Sequence, residues 1–299
     1  MSPPSHVFVV GSGRSGTTLM VRILNASEEL AICGETRFLT KGPYRPGFRR
    51  TFSRIGDIAT EPGARRVVDY IYHGIQEWSH WDWIRLHVDQ EQFLHSFLES
   101  DRTDRALFDL VMAFYAGGKP VRGEKTPAHI YYVPTLLEWF PHAKVIHILR
   151  DPRAIFVSKK LRIAGKEWDA LHYRLVRGTD LTLNLYLGYA VVNSWLGCVR
   201  RHHQYQKAYP QRYYLLRFED LIADPRASLT RLCDFLDVSF SEVMLRQRVV
   251  NSSFGSPDSW AEGFDASANE RWRSHMSRAV HRWFVARCKR RLLEFGYQF

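Results

Sequence analysis

The alternation of apolar and polar positions opens with His6 to Val10, an apolar run that ends in glycines and reads as a buried parallel strand leading into a loop. Gly16 to Ala26 then carries helical periodicity through Leu19, Ile23 and Leu24, so the chain begins strand, glycine loop, helix. Leu30 to Cys33 is a second short apolar run, closing on Gly34-Glu35-Thr36-Arg37. From Lys41 to Gly63 the sequence is rich in Gly, Pro and Arg, which predicts a loop or mobile segment. Helical patterns follow over 65–78, with Val67, Val68, Ile71 and Ile75 on one face, and over 89–98 and 104–115. Lys144 to Leu149 and Arg212 to Leu216 predict two further strands, each followed by a polar turn and a helix. Asp224-Pro225 supplies a cap and first turn for a helix through Phe235, and a last helix is expected over about 277–295. No internal repeat is present. The pattern predicts one α/β domain over 1–299, with a loop and helical insertion over 41–120.

Composition narrows the function classes. The 299 residues are 45% hydrophobic, enough for a sizeable core and unlike a disordered chain. A formal net charge of +11 favours anionic ligands, while the absence of a long basic run argues against nucleic acid. Arg287, Lys289, Arg290 and Arg291 are read as a solvated face of the last helix. Cys33, Cys198, Cys233 and Cys288 stand singly, with no C-x-x-C spacing, so neither a zinc site nor a disulfide framework is indicated and a reducing compartment is expected. The first strand starts too early for a signal peptide, and no stretch reaches the ~20 apolar residues of a membrane span. A soluble, cytoplasmic protein is the expectation.

Residues 7–18, VFVVGSGRSGTT, satisfy two patterns at once. Gly11, Gly13 and Gly16 fit the dinucleotide fingerprint, with Glu35 placed where a ribose-binding carboxylate would sit. Gly11 to Thr18 also fit the nucleoside-triphosphate loop, except that Thr17 stands where its lysine belongs. Backbone N–H groups of such a turn favour phosphate or sulfate oxygens in every reading. Phosphoryl transfer needs Lys and Mg²⁺ against heavy charge, whereas a sulfuryl group carries less, so donors and one or two cations suffice without a metal. Arg14 within the loop offers a planar fork. In VIHILRDPRAIFVSKKLR, a helix opened by Asp151-Pro152 would put Ser158 and Arg162 on one face beside Arg150, suited to a second phosphate.

RSGTT after the first strand, together with RDPRAIFVS after a later one, resembles the sulfotransferases that use 3′-phosphoadenosine 5′-phosphosulfate (PAPS). The resemblance is nearest the tyrosylprotein-type branch and its bacterial relatives: CGETR resembles that branch's C-G-E-x-T-R segment, and GEKTP, FEDLIADPRASLTRLCDFLDV and the closing LLEFGY resemble further family segments. It implies a P-loop-type parallel sheet flanked by helices, and in-line transfer of a sulfuryl group from PAPS to an acceptor hydroxyl on a glycan, lipid, small molecule or peptide tyrosine. Glu35 would be the general base, with Lys125 and Arg14 stabilising developing charge. Arg14, Ser15, Gly16, Thr17 and Thr18 would hold the 5′-phosphosulfate. Arg150, Ser158 and Arg162 would hold the 3′-phosphate. Ser252 and Ser253, in VVNSSFGSP, fall where the family places a cofactor-covering loop. No metal is implied. The 41–120 segment has no alignable motif and would lie on the acceptor side, so tyrosine specificity is not carried over. In EWSHWDW, Trp78, Trp81 and Trp83 are either an aromatic acceptor platform or core, and Trp272 is either core or packed beside the covering loop. A P-loop small-molecule kinase and a non-catalytic anion- or glycan-binding module are the alternatives.

Overall fold

The computed structural model describes residues 4–40, 47–75, 79–164, 178–246, 264 and 266–299. Five parallel strands form one sheet: β1 (His6–Gly11), β2 (Leu30–Cys33), β3 (Val121–Lys125), β4 (Lys144–Leu149) and β5 (Tyr213–Arg217), in the order β2-β3-β1-β4-β5. All six residues of β1 are buried, as a central parallel strand requires when both faces are covered. The register pairs Val9 with Lys125 on one side and Ile146 on the other, and Cys33 with Glu124. Strand ends from Cys33, Lys125, Gly11 and Leu149 therefore meet along one rim. Because the chain leaves β1 toward β2 on one side and later fills β4 on the other, that rim is the crevice where ligands of open α/β sheets bind.

Alternation along β1 divides the core. Phe8 and Val10 face helices α2 (Phe48–Ile55), α3 (Glu61–Asp69), α4 (His80–His87), α5 (Gln90–Leu98) and α6 (Asp104–Ala116), all between β2 and β3. Val7 and Val9 face the helix after β1, α1 (Thr17–Asn25), here called the loop helix, and the two after β5, Phe218–Ala223 and Pro225–Leu236. A third apolar cluster joins the helices Pro152–Ala164, Asp180–Ala208 and Arg278–Glu294. The four cysteines are free and buried.

The structure departs from the sequence pattern in four places. β3 reads as VRGEK, whose charged residues hide a strand that is buried because it lies between two neighbours. Within 41–63, expected as loop, α2 forms because Phe48 and Phe52 recur one turn apart and both are buried. The helix expected over 65–78 starts earlier, where the Thr60 hydroxyl accepts from Gly63 N–H at 3.2 Å, and passes into a wide π turn at Tyr70–Gly74. The 29-residue helix Asp180–Ala208 was not anticipated; Leu183, Leu187, Val191 and Trp195 bury one stripe of it.

Phe52 is 1% exposed and packs edge-on to Trp81 at 5.4 Å between ring centres. Phe52→Ala is expected to cost about 3–5 kcal/mol of stability, read as a lowered urea midpoint at unchanged m-value.

Candidate active site

The loop after β1 depends on two glycines. Gly11 (φ +149) and Gly16 (φ +99) lie in the region that favours glycine, and a Cβ at either would approach Ile148 O or the Phe218 ring to 2.5 Å. Ser15 N–H donates to Ser12 O at 3.1 Å, which closes the turn. The loop helix starts at Thr17 with no side-chain cap and no acidic residue in its first turn, leaving its positive end for an anion. Ser15 Oγ is buried without a hydrogen-bond partner among the described residues, and the space around Gly13 is open. A phosphate or phosphosulfate fits this cradle.

Arg14 leaves the loop with φ +74 and its Nε donates to Ser158 Oγ at 3.0 Å, so the two sequence motifs meet through one hydrogen bond. Pro152 opens the helix that carries Ser158, as the sequence predicts, and Arg162 follows one turn later. Arg150 Nη1 donates to the Arg14 carbonyl at 3.3 Å, and its guanidinium lies over the Phe218 ring at 4.1 Å. Its Nε is buried with no hydrogen-bond partner among the described residues. Burial lowers the Arg150 pKa from its ordinary value, against the opposing pull of Glu219 and Asp151. A buried cation with an unused donor is poised for a second anion.

Three residues that hold this turn have roles the sequence did not reveal. Glu219 accepts from Asp151 N–H at 2.9 Å and from Tyr297 Oη–H at 3.0 Å, and Phe218 floors both Gly16 and Arg150. FEDL and LLEFGY were visible as segments, but nothing in them announces that they converge on Asp151. Arg153 forks onto Asp151 at 2.7 Å and stacks on Trp272 at 4.3 Å, which places Trp272 in the core.

Across the rim, Lys125 Nζ donates to Glu35 Oε1 at 2.7 Å and lies 3.5 Å from Thr18 Oγ1. The Lys125 side chain is 8% exposed, that of Glu35 44%. The ammonium is thus buried between the loop and a carboxylate that remains open to solvent. Trp81 is core, with its Nε1–H donating to Thr36 O at 3.1 Å. Trp83 stacks between His80 and His87 at 5.5 and 4.7 Å. Burial pushes His80 down to about 4, so its neutral Nδ1 accepts from Gly34 N–H. Ser252, Ser253 and Trp78 lie outside the described residues. His202 packs against Tyr213 while His203 pairs with Glu294, and no group of three metal-ligating side chains occurs among the described residues. No described helix is long and apolar enough to cross a membrane.

The profile of the sulfotransferase family matches residues 4–242. Among curated proteins, the omega-hydroxy-beta-dihydromenaquinone-9 sulfotransferase Stf3 of Mycobacterium tuberculosis is 28% identical over 267 residues, 81% of this chain; the chain spans 65% of that relative's length. A putative protein-tyrosine sulfotransferase of Caenorhabditis briggsae is 25% identical over 243 residues, covering 80% of this chain and 68% of the relative. The sulfotransferase domain of the Synechococcus PCC 7002 olefin synthase superposes with a TM-score of 0.60 at 19% identity, over 100% of this chain and 97% of that one, a likeness of fold.

Gly16→Ala should lower stability by about 1–3 kcal/mol, since the new methyl strikes a ring held by Arg150. Thermal unfolding of the variant checks this, with an unchanged midpoint counting against the close approach.

Proposed function

The chain belongs to the sulfotransferase family, and from that premise we propose that it transfers a sulfuryl group from PAPS to an acceptor hydroxyl by in-line displacement, with Glu35 as general base. The observation that carries this reading is the position of Lys125 Nζ, 2.7 Å from Glu35 Oε1 and 3.5 Å from Thr18 Oγ1, which ties a solvent-accessible base to the head of the anion loop. A kinase reading would leave the Arg150–Ser158 side of the site without a purpose. A purely binding module would have no use for a base.

When bound, PAPS supplies the activated sulfuryl group. Ser15, Gly16, Thr17 and Thr18 would hold its 5′-phosphosulfate, with Arg14 lending a cation that the loop's missing lysine does not. Arg150, Ser158 and Arg162 would hold the 3′-phosphate, and the Arg14–Ser158 bond would keep the two proposed anion sites at a fixed separation. Glu35 would accept the acceptor's hydroxyl proton as the oxygen attacks sulfur. Lys125 would neutralise negative charge growing on the oxygen that leaves with the 5′-phosphate, a task made more effective by its burial. In the described state the Glu35–Lys125 pair satisfies both groups, so neither charge stands alone before the acceptor arrives.

The insertion over 41–120 is proposed as the acceptor side, because α4 begins against Glu35, where His80 N–H donates to Glu35 O at 3.1 Å. The relatives are named for acceptors with a terminal hydroxyl on a menaquinone and a protein tyrosine, so a prenyl alcohol, a phenol and a tyrosine peptide are the first acceptors to test.

Release of 3′-phosphoadenosine 5′-phosphate (PAP) from PAPS is measured on farnesol, 2-naphthol and an acidic tyrosine peptide. Glu35→Gln is expected to lower turnover on the best of these by about 10²–10⁴-fold while PAP still raises the unfolding temperature. Retained turnover would remove Glu35 from the base role. Arg150→Ala is expected to abolish the thermal stabilisation by PAP, and an unaltered shift would place the 3′-phosphate elsewhere.

A further inference from the structure

The backbone that carries Glu35 continues into four successive amides whose hydrogen bonds all lead to one buried carboxylate. Thr36 N–H donates directly to Glu124 Oε1 at 2.9 Å. Arg37 N–H donates to Thr126 Oγ1 at 3.1 Å, and that hydroxyl donates onward to Glu124 Oε1. Phe38 N–H donates to Thr36 Oγ1 at 3.3 Å, and this hydroxyl too donates to Glu124 Oε1, at 2.9 Å. Leu39 N–H donates to His129 Nε2 at 3.2 Å, and His129 Nδ1 lies 3.0 Å from Glu124 Oε2. Since Nε2 is an acceptor, the neutral ring carries its proton on Nδ1 and donates it to Glu124. Every intermediate therefore accepts from the segment and donates to the carboxylate, so the direction of the whole network is fixed.

We propose that Glu124 is a positioning residue for sulfuryl transfer: its carboxylate, acting through Thr126 and His129, sets the course of Thr36–Leu39 and so aims Glu35 at the anion loop. This rests on the reading of Glu35 as base. Glu124 is 1% exposed and His129 0%, so bulk solvent does not reach these bonds. Arg37, in the middle of the segment, sits at φ +52, a conformation that a non-glycine residue keeps only when its surroundings impose it.

The network requires a carboxylate and rejects its isosteric amide. If the NH₂ of a glutamine replaces Oε1, it faces the Thr36 N–H, which cannot turn away. If it replaces Oε2, His129 must move its proton to Nε2, where it then faces Leu39 N–H. Either orientation sets donor against donor in a site buried from bulk solvent. Glu124 itself does not reach the loop or the expected acceptor. Its neighbour Lys125 does, pointing from the same strand to the other face of the sheet.

The test is hydrogen exchange of the 34–40 segment, followed by mass spectrometry of the whole chain, together with PAP release on the panel acceptor that the wild type turns over fastest. Glu124→Gln should make amides 36–39 exchange at least about tenfold faster, lower kcat by about 10–100-fold with KM within about threefold, and leave the thermal shift by PAP unchanged. Thr126→Val, which removes one relay and keeps the shape, should speed exchange at Arg37 and lower kcat less; it carries the test if Glu124→Gln does not fold. Exchange and kcat within about threefold of wild type in both variants, or a loss of PAP binding equal to the loss of kcat, would overturn the proposal. Glu35→Gln run in parallel separates the two readings: full turnover in that variant defeats the base, whereas its loss beside an active Glu124→Gln defeats only the positioning role.

Discussion

The half of the crevice proposed to hold the donor is built on the ring of Phe218. One edge of it leaves space at Gly16 only for hydrogen, and its face lies 4.1 Å beneath the Arg150 guanidinium. Since Gly16 follows β1, Arg150 follows β4 and Phe218 follows β5, a single aromatic side chain gathers three strand exits into one floor. An ordinary side chain at position 16 would push the anion loop away from that floor. The loop would then part from Arg150, and the Arg14–Ser158 bond could not span the gap. Sheet register brings these exits to the same rim, but contact with this ring sets the separation between the two expected anion sites.

On the proposed reading, electrostatics account for the lysine missing from the loop. A lysine at position 17 would deliver a mobile point charge; Arg14, Arg150 and Lys125 instead deliver cations from three directions, each anchored by a neighbour. Arg14 is held by Ser158, Arg150 by the Arg14 carbonyl and the Phe218 face, and Lys125 by Glu35. Glu219, Asp151 and Tyr297 anchor the turn from behind. The positive charge is thereby preorganised and partly desolvated before any ligand binds, the condition under which a field stabilises charge most effectively.

What the sequence made legible followed from local chemistry. The strand, glycine loop and helix at 6–26, the helix opened by Pro152 and the pairing of RSGTT with RDPRAIFVS are all patterns within a few residues, and the family match agrees with them. β3 escaped notice because VRGEK spends three of its five positions on charges, Arg122 paired with Asp109, Glu124 in its network and Lys125 at the rim, which erased the apolar signal of a buried strand. α2 was obscured by the glycines and arginines around Phe48 and Phe52, whose burial depends on Phe38 and Trp81 arriving from elsewhere. Phe218, Glu219 and Tyr297 act through contacts across 50 or more residues of chain, and no period or spacing encodes such a meeting.

The two halves of the crevice are held by independent means and meet at Lys125. On the donor side the restraints are a packed ring and arginine bonds; on the other, four amides drain into the Glu124 carboxylate and α4 grips Glu35 and Thr36 through His80 N–H and Trp81 Nε1–H. Thr36 is thus bonded from β3 and from the inserted helices at once. It follows that the insertion does more than frame an acceptor: the same helices that would shape acceptor access also fix the backbone of the proposed base. Change in the insertion that admitted a different acceptor would be constrained to preserve the start of α4, whereas an exposed position at its far end, such as Leu86, carries no such constraint. On the proposed reading, a fold organised this way could alter what it accepts without disturbing how the donor is held, because the two halves meet at Lys125.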